Sequence, residues 1–263
     1  MDPETTATPL ACIVVPCFNE AARLDEAALA GLVQDGRLHL LLVDDGSTDG
    51  TRAILDRLAA ADARITVLAR PRNEGKAEAV RHGLVVALDG SAPFVGYYDA
   101  DLATPPDELF RLVDTIRAHP ETECVLGARV ALLGTAIERR AARHYAGRLF
   151  ASAASIALGV RVYDTQCGAK VFRRSDALTA AVGRPFRSRW AFDVELLARL
   201  LQGTDTTPPM PASALLEVPL QSWRDVPGSR LRASGAALAL AGVARIGADR
   251  RRAERRAAAH TAP

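Results

Sequence analysis

Two carboxylates, one residue apart, follow a short apolar segment near the middle of the chain. The segment runs from Phe94 to Tyr98, and Asp99 and Asp101 come directly after it. If it is a buried strand of an open α/β sheet, both aspartates lie at its carboxyl end, where such sheets bind ligands. Residues two apart in an extended chain point the same way, so both carboxylates can face one ion. Such oxygen ligands suit Mg²⁺ or Mn²⁺. The alternative interpretation is a solvated acidic turn.

Two other apolar segments end in polar residues that could meet the same edge. The segment 10–16 leads into Pro16–Glu20, and the segment 38–43 leads into Asp44 and Asp45. Without a metal, a carboxylate there can accept hydrogen bonds from a base N–H or from ribose hydroxyls. For Asp45, an Asx turn or helix cap within DDGSTDG is an equally good explanation.

A glycine and a lysine stand at the start of the helix predicted at 76–88. Gly75 and Lys76 could meet a phosphate through backbone N–H groups and a cation, although a plain capped helix explains them equally well. The pattern is not a P-loop, and no G-x-G-x-x-G follows the first strand. Both observations argue against kinase chemistry and dinucleotide binding.

The order of elements predicts how these residues are positioned. Strand, turn and helix repeat four times with short loops, which is typical of an α/β fold with a mostly parallel, doubly wound sheet. The strands are predicted at 10–16, 38–43, 65–69 and 94–98, and the helices at 24–34, 52–61, 76–88 and 106–118. The second half is less regular, with strands at 124–127, 168–173 and 215–219 and helices at 138–158, 192–201 and from 231 onward. The strand at 168–173 could run antiparallel.

Composition excludes several classes of protein. A net charge of +2 gives no global field for nucleic acid. The four cysteines lack C-x-x-C spacing, which makes a zinc site improbable and fits a reducing cytoplasm. The first ten residues do not read as a signal peptide, and no apolar run approaches a membrane span. The basic stretches 138–158 and 231–256 are either solvated helices or contacts for an anionic lipid surface.

The motifs together resemble the family 2 glycosyltransferases, which have the GT-A fold. The first-half matches are IVVPCFNE (13–20), LLVDDGSTDGT (41–51), RNEGKAEAVRHGL (72–84) and YYDADLATP (97–105). The second-half matches are LGAR (126–129), DTQCGAKVFRR (164–174), RWAFDVELL (189–197) and EVPLQSWRDVPGSRL (217–231). This second set is similar to dolichyl-phosphate β-glucosyltransferases, with dolichyl-phosphate mannose synthases as near relatives. One departure is that eukaryotic members carry an N-terminal membrane helix, which this sequence lacks.

The resemblance implies a division of the chain and a role for each matching residue. A GT-A domain would cover 11–231, with a donor half over 11–128 and an acceptor half over 129–231, between a flexible 1–10 and a basic helix and tail over 232–263. The residues implied for the nucleotide sugar are Pro16, Asn19, Glu20, Asp44, Asp45, Lys76 and Asp99, and those for the metal are Asp99 and Asp101. Arg129 would line the donor sugar or phosphate side. The residues implied on the acceptor or phosphate side are Arg189, Asp193, Glu195, Arg224, Ser229 and Arg230.

The acceptor decides whether a base is needed. A lipid phosphate is already ionised at neutral pH and needs cations, which arginines supply bidentately. A sugar hydroxyl would instead require a general base, for which Asp193 is the candidate. The alternative for Asp193 and Glu195 is a pair of carboxylates at a helix N-terminus, which the helix dipole favours anyway.

The expected function is therefore inverting, metal-dependent transfer of a hexose to a polyprenyl or dolichyl phosphate. The resemblance implies UDP-glucose as donor, Mg²⁺ or Mn²⁺ as cofactor, and peripheral contact with the cytoplasmic membrane face. The alternatives are GDP-mannose or another nucleotide sugar as donor, or a glycan or small-molecule hydroxyl as acceptor. A further alternative is a nucleotide-sugar binding module without turnover. No nucleic-acid partner is expected.

Overall fold

The computed structural model describes residues 8–138, 141–204, 206–226 and 233–261. Nine strands lie within these residues: β1 (Ala11–Cys17), β2 (Leu38–Asp44), β3 (Ile65–Ala69), β4 (Phe94–Tyr98), β5 (Cys124–Ala128), β6 (Ala136–Glu138), β7 (Ala169–Arg173), β8 (Leu215–Pro219) and β9 (Ser222–Arg224). The α-helices in the same residues are α1 (Glu26–Gly31), α2 (Thr51–Ala61), α3 (Lys76–Asp89), α4 (Pro106–Ala118), α5 (Ala141–Leu158), α6 (Asp176–Val182), α7 (Phe192–Gln202) and α8 (Ala233–Thr261).

Seven strands form one sheet in the order β3-β2-β1-β4-β7-β5-β8. β1 pairs in parallel with β2 and with β4, so the strand order changes direction beside β1. β7 is antiparallel to both of its neighbours, which leaves β5 parallel to β4. The carboxyl ends of β1, β2, β4 and β5 therefore meet at one edge, next to the switch point where open α/β sheets form their binding crevice.

The central strands of the sheet are buried on both faces, and their sequences are nearly continuous apolar runs. Along β1 the side chains alternate between two hydrophobic clusters. Val14 packs in one cluster with residues of α3 and α7, while Ile13 and Val15 pack in the other with residues of α1 and α4. Fully buried strands of this kind hold the loops at the sheet edge on a rigid support.

The α/β fold with a mostly parallel sheet is confirmed, and several elements match their predicted bounds. β3, β4, β8 and α4 begin and end at the predicted residues. The helix predicted from residue 138 instead begins at Ala141, because Glu138 ends β6. The sequence analysis also missed α6 and the parallel pair of β6 and β9. Strands of three residues are too short to show a hydrophobic period.

The last helix packs on the rest of the domain. Ala239, Val243 and Ile246 of α8 are buried in the cluster that also contains α5 and α7. Arg250 donates from Nε to the carbonyl of Ala157 over 2.9 Å, at the end of α5. Among the described helices, none is long and apolar enough to cross a membrane. The predicted division into a flexible 1–10, an 11–231 domain and a 232–263 helix and tail stays a prediction.

Candidate functional site

The turn that carries Asp99 and Asp101 lies at the carboxyl end of β4. The N–H of Asp99 donates to the carbonyl of Gly168 over 2.9 Å, which ties the turn to the start of β7. Oδ1 of Asp101 accepts from the N–H of Ala103 at 3.1 Å. Leu102 has a left-handed backbone with φ 51°, a conformation that costs a non-glycine residue of order 1–3 kcal/mol. The surrounding contacts hold the aspartates in an unfavourable but defined turn.

Gly168 permits the close approach of the second half of the chain to Asp99. A Cβ at position 168 would lie 2.9 Å from the Cβ of Asp99 and closer still to its carboxylate. Any side chain there would therefore displace the Asp99 side chain. The absence of a side chain at 168 is a requirement of this site.

Lys76, the first residue of α3, forms an ion pair with Asp99. Its Nζ lies 2.6 Å from Oδ1 and 2.8 Å from Oδ2 of that carboxylate. Burial opposes the charge of Lys76, but the carboxylates of Asp99, Asp193 and Asp101 outweigh it, so the pKa of Lys76 is raised. The structure thus brings together two residues that are 23 positions apart in the chain.

Asp101 lies in the same charged group. Burial, and then the negative charge of Asp99, raise the pKa of Asp101, while Lys76 and Arg23 act in the opposite direction. Arg23 donates from Nη2 to Oε1 of Glu20 over 2.7 Å, and this pairing raises the pKa of Arg23. The carboxylates of Asp99 and Asp101 lie close enough to repel each other. Their hard oxygen atoms are ligands that fit Mg²⁺ or Mn²⁺.

The loop after β1 is hydrogen-bonded to the loop after β2. Asn19 has a left-handed backbone with φ 52°, and its Oδ1 accepts from the N–H of Thr48 at 2.8 Å. The N–H of Asn19 donates to Oγ of Ser47 over 3.1 Å. The N–H of Glu20 donates to Oγ1 of Thr51 over 2.7 Å. These bonds make one wall of the crevice from two neighbouring strand ends.

Asp44 and Asp45 use their carboxylates to hold loops. Oδ1 of Asp44 accepts from the N–H of Ser47, three residues further on, at 3.0 Å. Oδ2 of Asp45 accepts from the N–H of Gly75 at 2.7 Å, and Oδ1 of Asp45 accepts from the N–H of Glu74 at 3.2 Å. Pro16 lies beside them, aligned with the residue before Asp44 in the parallel pair. Asp45 thereby fixes the start of the helix that carries the lysine.

Arg189 lies over the same helix start. Its Nη2 donates to Oδ1 of Asn73 over 2.9 Å, and a Cβ at Gly75 would lie 2.8 Å from its Cζ. Gly75 also has φ 94°, a left-handed backbone conformation that favours glycine. Glu195 accepts from the N–H groups of residues 187 and 188 at 2.9 and 3.0 Å, and so holds the loop that carries Arg189.

Asp193 is part of a buried network. Its Oδ1 accepts from Nζ of Lys170 at 2.9 Å and from the hydroxyl of Tyr97. Lys170 also donates to the carbonyl of Cys167 over 2.6 Å, and its side chain is only 1% exposed. Burial and the Asp193 charge raise the pKa of Tyr97 far above its usual range, so the phenol stays a donor.

Arg129 leaves the end of β5 and pairs with Asp164. Its Nε and Nη2 donate to Oδ2 and Oδ1 over 2.6 and 2.8 Å. Burial opposes its charge, but Asp164 outweighs burial and raises the pKa of Arg129. The guanidinium lies 5.2 Å from the ring centre of Trp223. Arg224 follows in β9, where its N–H donates to the carbonyl of Ala103 over 3.0 Å.

The structure therefore gathers one set of predicted residues and separates another. Lys76, Asp99 and Asp101 form one charged group. Glu195 and Asp45 contact backbone of site loops rather than that group. The predicted residues Ser229 and Arg230 lie outside the described residues. The roles of the predicted site residues stay predictions.

Three residues of the site were not found from sequence. Arg23 lies after the PCFNE turn and close enough to influence Asp99 and Asp101, but an arginine at a helix approach carries no local signal. Lys170 is a charged residue in an apolar strand, which was an available signal because buried lysines are rare unless paired. Gly168 could be recognised only from its contact with Asp99.

Comparison with known proteins places these motifs in context. Residues 12–178 match the family described as Glycosyl transferase family 2. A dolichyl-phosphate beta-glucosyltransferase of Trichomonas vaginalis is 31% identical over 235 residues, covering 84% of this chain and 66% of that protein. A polyprenol monophosphomannose synthase of Mycolicibacterium smegmatis is 31% identical over 177 residues, covering 66% of this chain and 65% of that protein. The chain thus spans about two thirds of the length of each relative.

A solved structure shares the fold. Glucosyl-3-phosphoglycerate synthase from Mycobacterium tuberculosis, crystallised with Mn²⁺, UDP and glucosyl-3-phosphoglycerate, superposes with a TM-score of 0.67. The alignment covers 92% of this chain and 81% of that one at 20% identity. At this identity the likeness concerns the fold, and it confirms the predicted GT-A architecture.

Proposed function

The chain belongs to glycosyl transferase family 2, and from this premise we propose that it transfers glucose from UDP-glucose to a polyprenyl phosphate, with inversion at the sugar. It is a glycosyltransferase. The names of the two relatives support a lipid phosphate as acceptor, one with glucose and one with mannose as the sugar. The site is proposed to work with Mg²⁺ or Mn²⁺ and at the cytoplasmic face of a membrane.

The observation that carries the proposal is the charged group at the end of β4. Asp99 and Asp101 offer two neighbouring carboxylates as hard oxygen ligands, and Lys76 and Arg23 add positive charge beside them. Sugar transfer leaves a nucleoside diphosphate on which negative charge grows in the transition state. A divalent cation held by the two aspartates would stabilise that charge without proton transfer.

The neighbouring loops would hold the donor. Asn19 and Glu20 on one wall, with Asp44 and Asp45 behind them, are proposed to face the uridine. Asp45 would act through the start of α3, because its oxygens already hold that backbone. Lys76 would contact the diphosphate, since it lies at a helix N-terminus where phosphates are favoured.

Arginines are proposed to bind the phosphate groups from the side opposite the loops that would hold the uridine. Arg189 lies across Gly75 and next to Lys76, so its charge adds to that edge of the crevice. Arg129 would line the donor sugar or phosphate side with its guanidinium oriented by Asp164. Arg224 lies in β9, next to the Asp101 turn, and is proposed with Ser229 and Arg230 for phosphate binding.

The surroundings of Asp193 favour a phosphate acceptor over a hydroxyl. A hydroxyl acceptor needs a general base that is available to take a proton. Oδ1 of Asp193 already accepts from Lys170 and Tyr97, and the side chain is 9% exposed. An ionised phosphate needs no such base, so the proposed acceptor is compatible with this network.

An exposed apolar face supports contact with a membrane. Tyr145, Leu149 and Ile156 of α5 are 69%, 73% and 70% exposed, and their spacing of four and seven residues places them on one side of the helix. Leu133, in the loop before β6, is also fully exposed. Helices of this kind lie in the interface of a bilayer. We assign this face, called the α5 face below, to the lipid surface that would present the acceptor.

The test is transfer of a radiolabelled sugar into the lipid phase. Wild-type protein is incubated with polyprenyl phosphate and either UDP-glucose or GDP-mannose, with and without Mg²⁺ or Mn²⁺. Label is expected from UDP-glucose and only with a divalent cation. Label from GDP-mannose instead would assign mannose as the transferred sugar, and no transfer from any donor would contradict the proposal.

The variant Asp101→Ala tests whether the proposed site is responsible for sugar transfer. Loss of a positioned electrostatic group should lower turnover by roughly 10²–10³. The matched control is Asp107→Ala, which removes an exposed aspartate in the first turn of α4. Circular dichroism should be unchanged in both variants. Turnover of Asp101→Ala close to that of wild type would rule out the proposed site.

A further inference from the structure

Lysine is almost absent from this chain. Of 33 basic residues only two are lysines, Lys76 and Lys170, and both lie at the candidate site. Each of them pairs with an aspartate, Lys76 with Asp99 and Lys170 with Asp193. An ammonium is a compact charge on a flexible stem, whereas a guanidinium is a rigid planar fork. Both positions thus carry the compact, flexible basic side chain and not the rigid fork of arginine.

The two lysines differ in their freedom to move. Lys170 is 1% exposed and donates to two fixed oxygens, so its ammonium has no alternative position. The side chain of Lys76 is 43% exposed and that of Asp99 is 31% exposed. The backbone of Lys76 is fixed because Asp45 holds the N–H of Gly75. Lys76 therefore has a backbone that is held in place and a side chain that is partly exposed to solvent.

The position of Lys76 conflicts with a divalent cation on Asp99. The ammonium lies within 2.8 Å of both oxygens of that carboxylate, which are the atoms a cation would use. A second positive charge beside it would be repelled at close range. Three carboxylates of the group, Glu20, Asp99 and Asp101, are already offset in part by Arg23 and Lys76. Cation binding thus requires Lys76 to move to another anion.

We propose that Lys76 exchanges partners, from Asp99 in the free enzyme to the diphosphate of the donor in the complex. The exchange makes the binding of the divalent cation and of the nucleotide mutually dependent. The inference rests on the proposed function, because a nucleoside diphosphate is the anion that receives the ammonium. By thermodynamic linkage each ligand raises the affinity for the other by the same factor, and typical coupling is about 5–150-fold.

The first experiment measures Mn²⁺ affinity by calorimetry, with UDP as the nucleotide probe. Lys76→Met should bind Mn²⁺ alone about 10-fold or more tightly than wild type, because the competing ammonium is gone. The same variant should bind UDP alone more weakly than wild type. Unchanged or weaker Mn²⁺ binding by Lys76→Met would overturn the exchange. Lys76→Gln serves as the second variant if Lys76→Met does not fold.

A matched control distinguishes the effect of the Lys76–Asp99 ion pair on Mn²⁺ binding from the effect of net positive charge near the site. Arg189→Met removes a neighbouring positive charge that does not contact Asp99. Its Mn²⁺ affinity should change by less than about threefold, since exposed charges are screened. An increase as large as that of Lys76→Met would show that net charge alone sets the affinity and would overturn the proposal.

The second experiment needs no variant. Protein labelled with ¹⁵N-lysine has only two side-chain ammonium signals, one of them from the buried Lys170. Mg²⁺ and UDP together should shift the Lys76 signal and leave the Lys170 signal in place as an internal reference. An unmoved Lys76 signal in the saturated complex would overturn the exchange. If calorimetry detects no UDP binding with metal present, the proposed function itself fails. If UDP and metal bind, but Lys76→Met does not bind Mn²⁺ more tightly and the Lys76 signal does not shift, only the exchange is ruled out.

Discussion

Nζ of Lys170 lies 2.9 Å from Oδ1 of Asp193, and both side chains are closed off from solvent. Lys170 is in β7, directly opposite Tyr97 of β4, whose hydroxyl donates to the same oxygen. Asp193 is at the start of α7. One carboxylate therefore joins two strands and a helix under the turn that carries Asp99 and Asp101.

Lys170→Met should destabilise the protein more than any change to a surface ion pair. Removing one partner of a buried pair leaves an uncompensated charge, which costs about 3–5 kcal/mol. Urea unfolding at neutral pH measures the loss. The double variant Lys170→Met with Asp193→Asn should lose less than Lys170→Met alone, because the buried charge is removed as well.

The control for this prediction is Arg187→Met. Arg187 pairs with Asp249 at 3.1 Å, but their side chains are 63% and 38% exposed. The loss there should stay below about 1 kcal/mol. Equal losses for the buried and the exposed pair would contradict the interpretation of the network.

Gly168→Ala should impair the site and spare the fold. The new methyl group would overlap the carboxylate of Asp99, and a side chain can turn aside more easily than backbone. A displacement of about 1 Å at a reacting centre can lower kcat/KM by about 10²-fold. Transfer assays and Mn²⁺ calorimetry measure the effect. Gly31→Ala is the matched control, since nothing lies within 4 Å of a Cβ there. Full activity of Gly168→Ala would disprove the close approach.

The α5 face should decide binding to anionic vesicles. Leu149→Glu combined with Ile156→Glu replaces two exposed apolar side chains by charges. Each such side chain can contribute about 1.5–3 kcal/mol when buried in lipid, so the double variant should bind at least 10-fold more weakly. Co-sedimentation with phosphatidylglycerol vesicles at low salt measures this. Val86→Glu, on α3 and 42% exposed, is the control and should bind like wild type. Wild type that stays in solution would exclude the face as a lipid contact.

Asp62 should contribute stability that depends on pH. Hydrogen bonds from the side chain and backbone of Arg64 lower the pKa of Asp62 from 3.8 to about 2. The contribution is present above the unfolded value of 3.8 and is lost as the pH falls through about 2. Asp62→Asn should therefore lower the free energy of unfolding at pH 7, and the difference from wild type should shrink on acidification.

Urea titrations of wild type and Asp62→Asn at several pH values between about 7 and 2 check this window. Asp56→Asn removes an exposed carboxylate paired with Arg52 on α2, and should change stability little throughout. A difference for Asp62→Asn that is constant across the range would show that its charge is not the cause.

The local sequence determined the strands and the edge at which their polar ends meet. Phe94–Tyr98 and Ile65–Ala69 are short apolar runs bounded by turn residues, so their limits could be predicted. Since parallel strands present their carboxyl ends together, Asp44, Asp45 and Asp99 had to share one edge. That part of the site follows from chain order alone.

Tertiary structure decided which partner each charged group has. Asp45 holds the backbone of Gly75, Lys76 pairs with Asp99, and Lys170 pairs with Asp193, across separations of 30, 23 and 23 residues. Such contacts depend on register and on how helices pack over the sheet, and no local period encodes them. Chain order therefore determined which chemical groups are present at the edge. Only the packing of distant segments settled that Lys76 pairs with Asp99, that Lys170 pairs with Asp193 and that Arg70 pairs with Asp45.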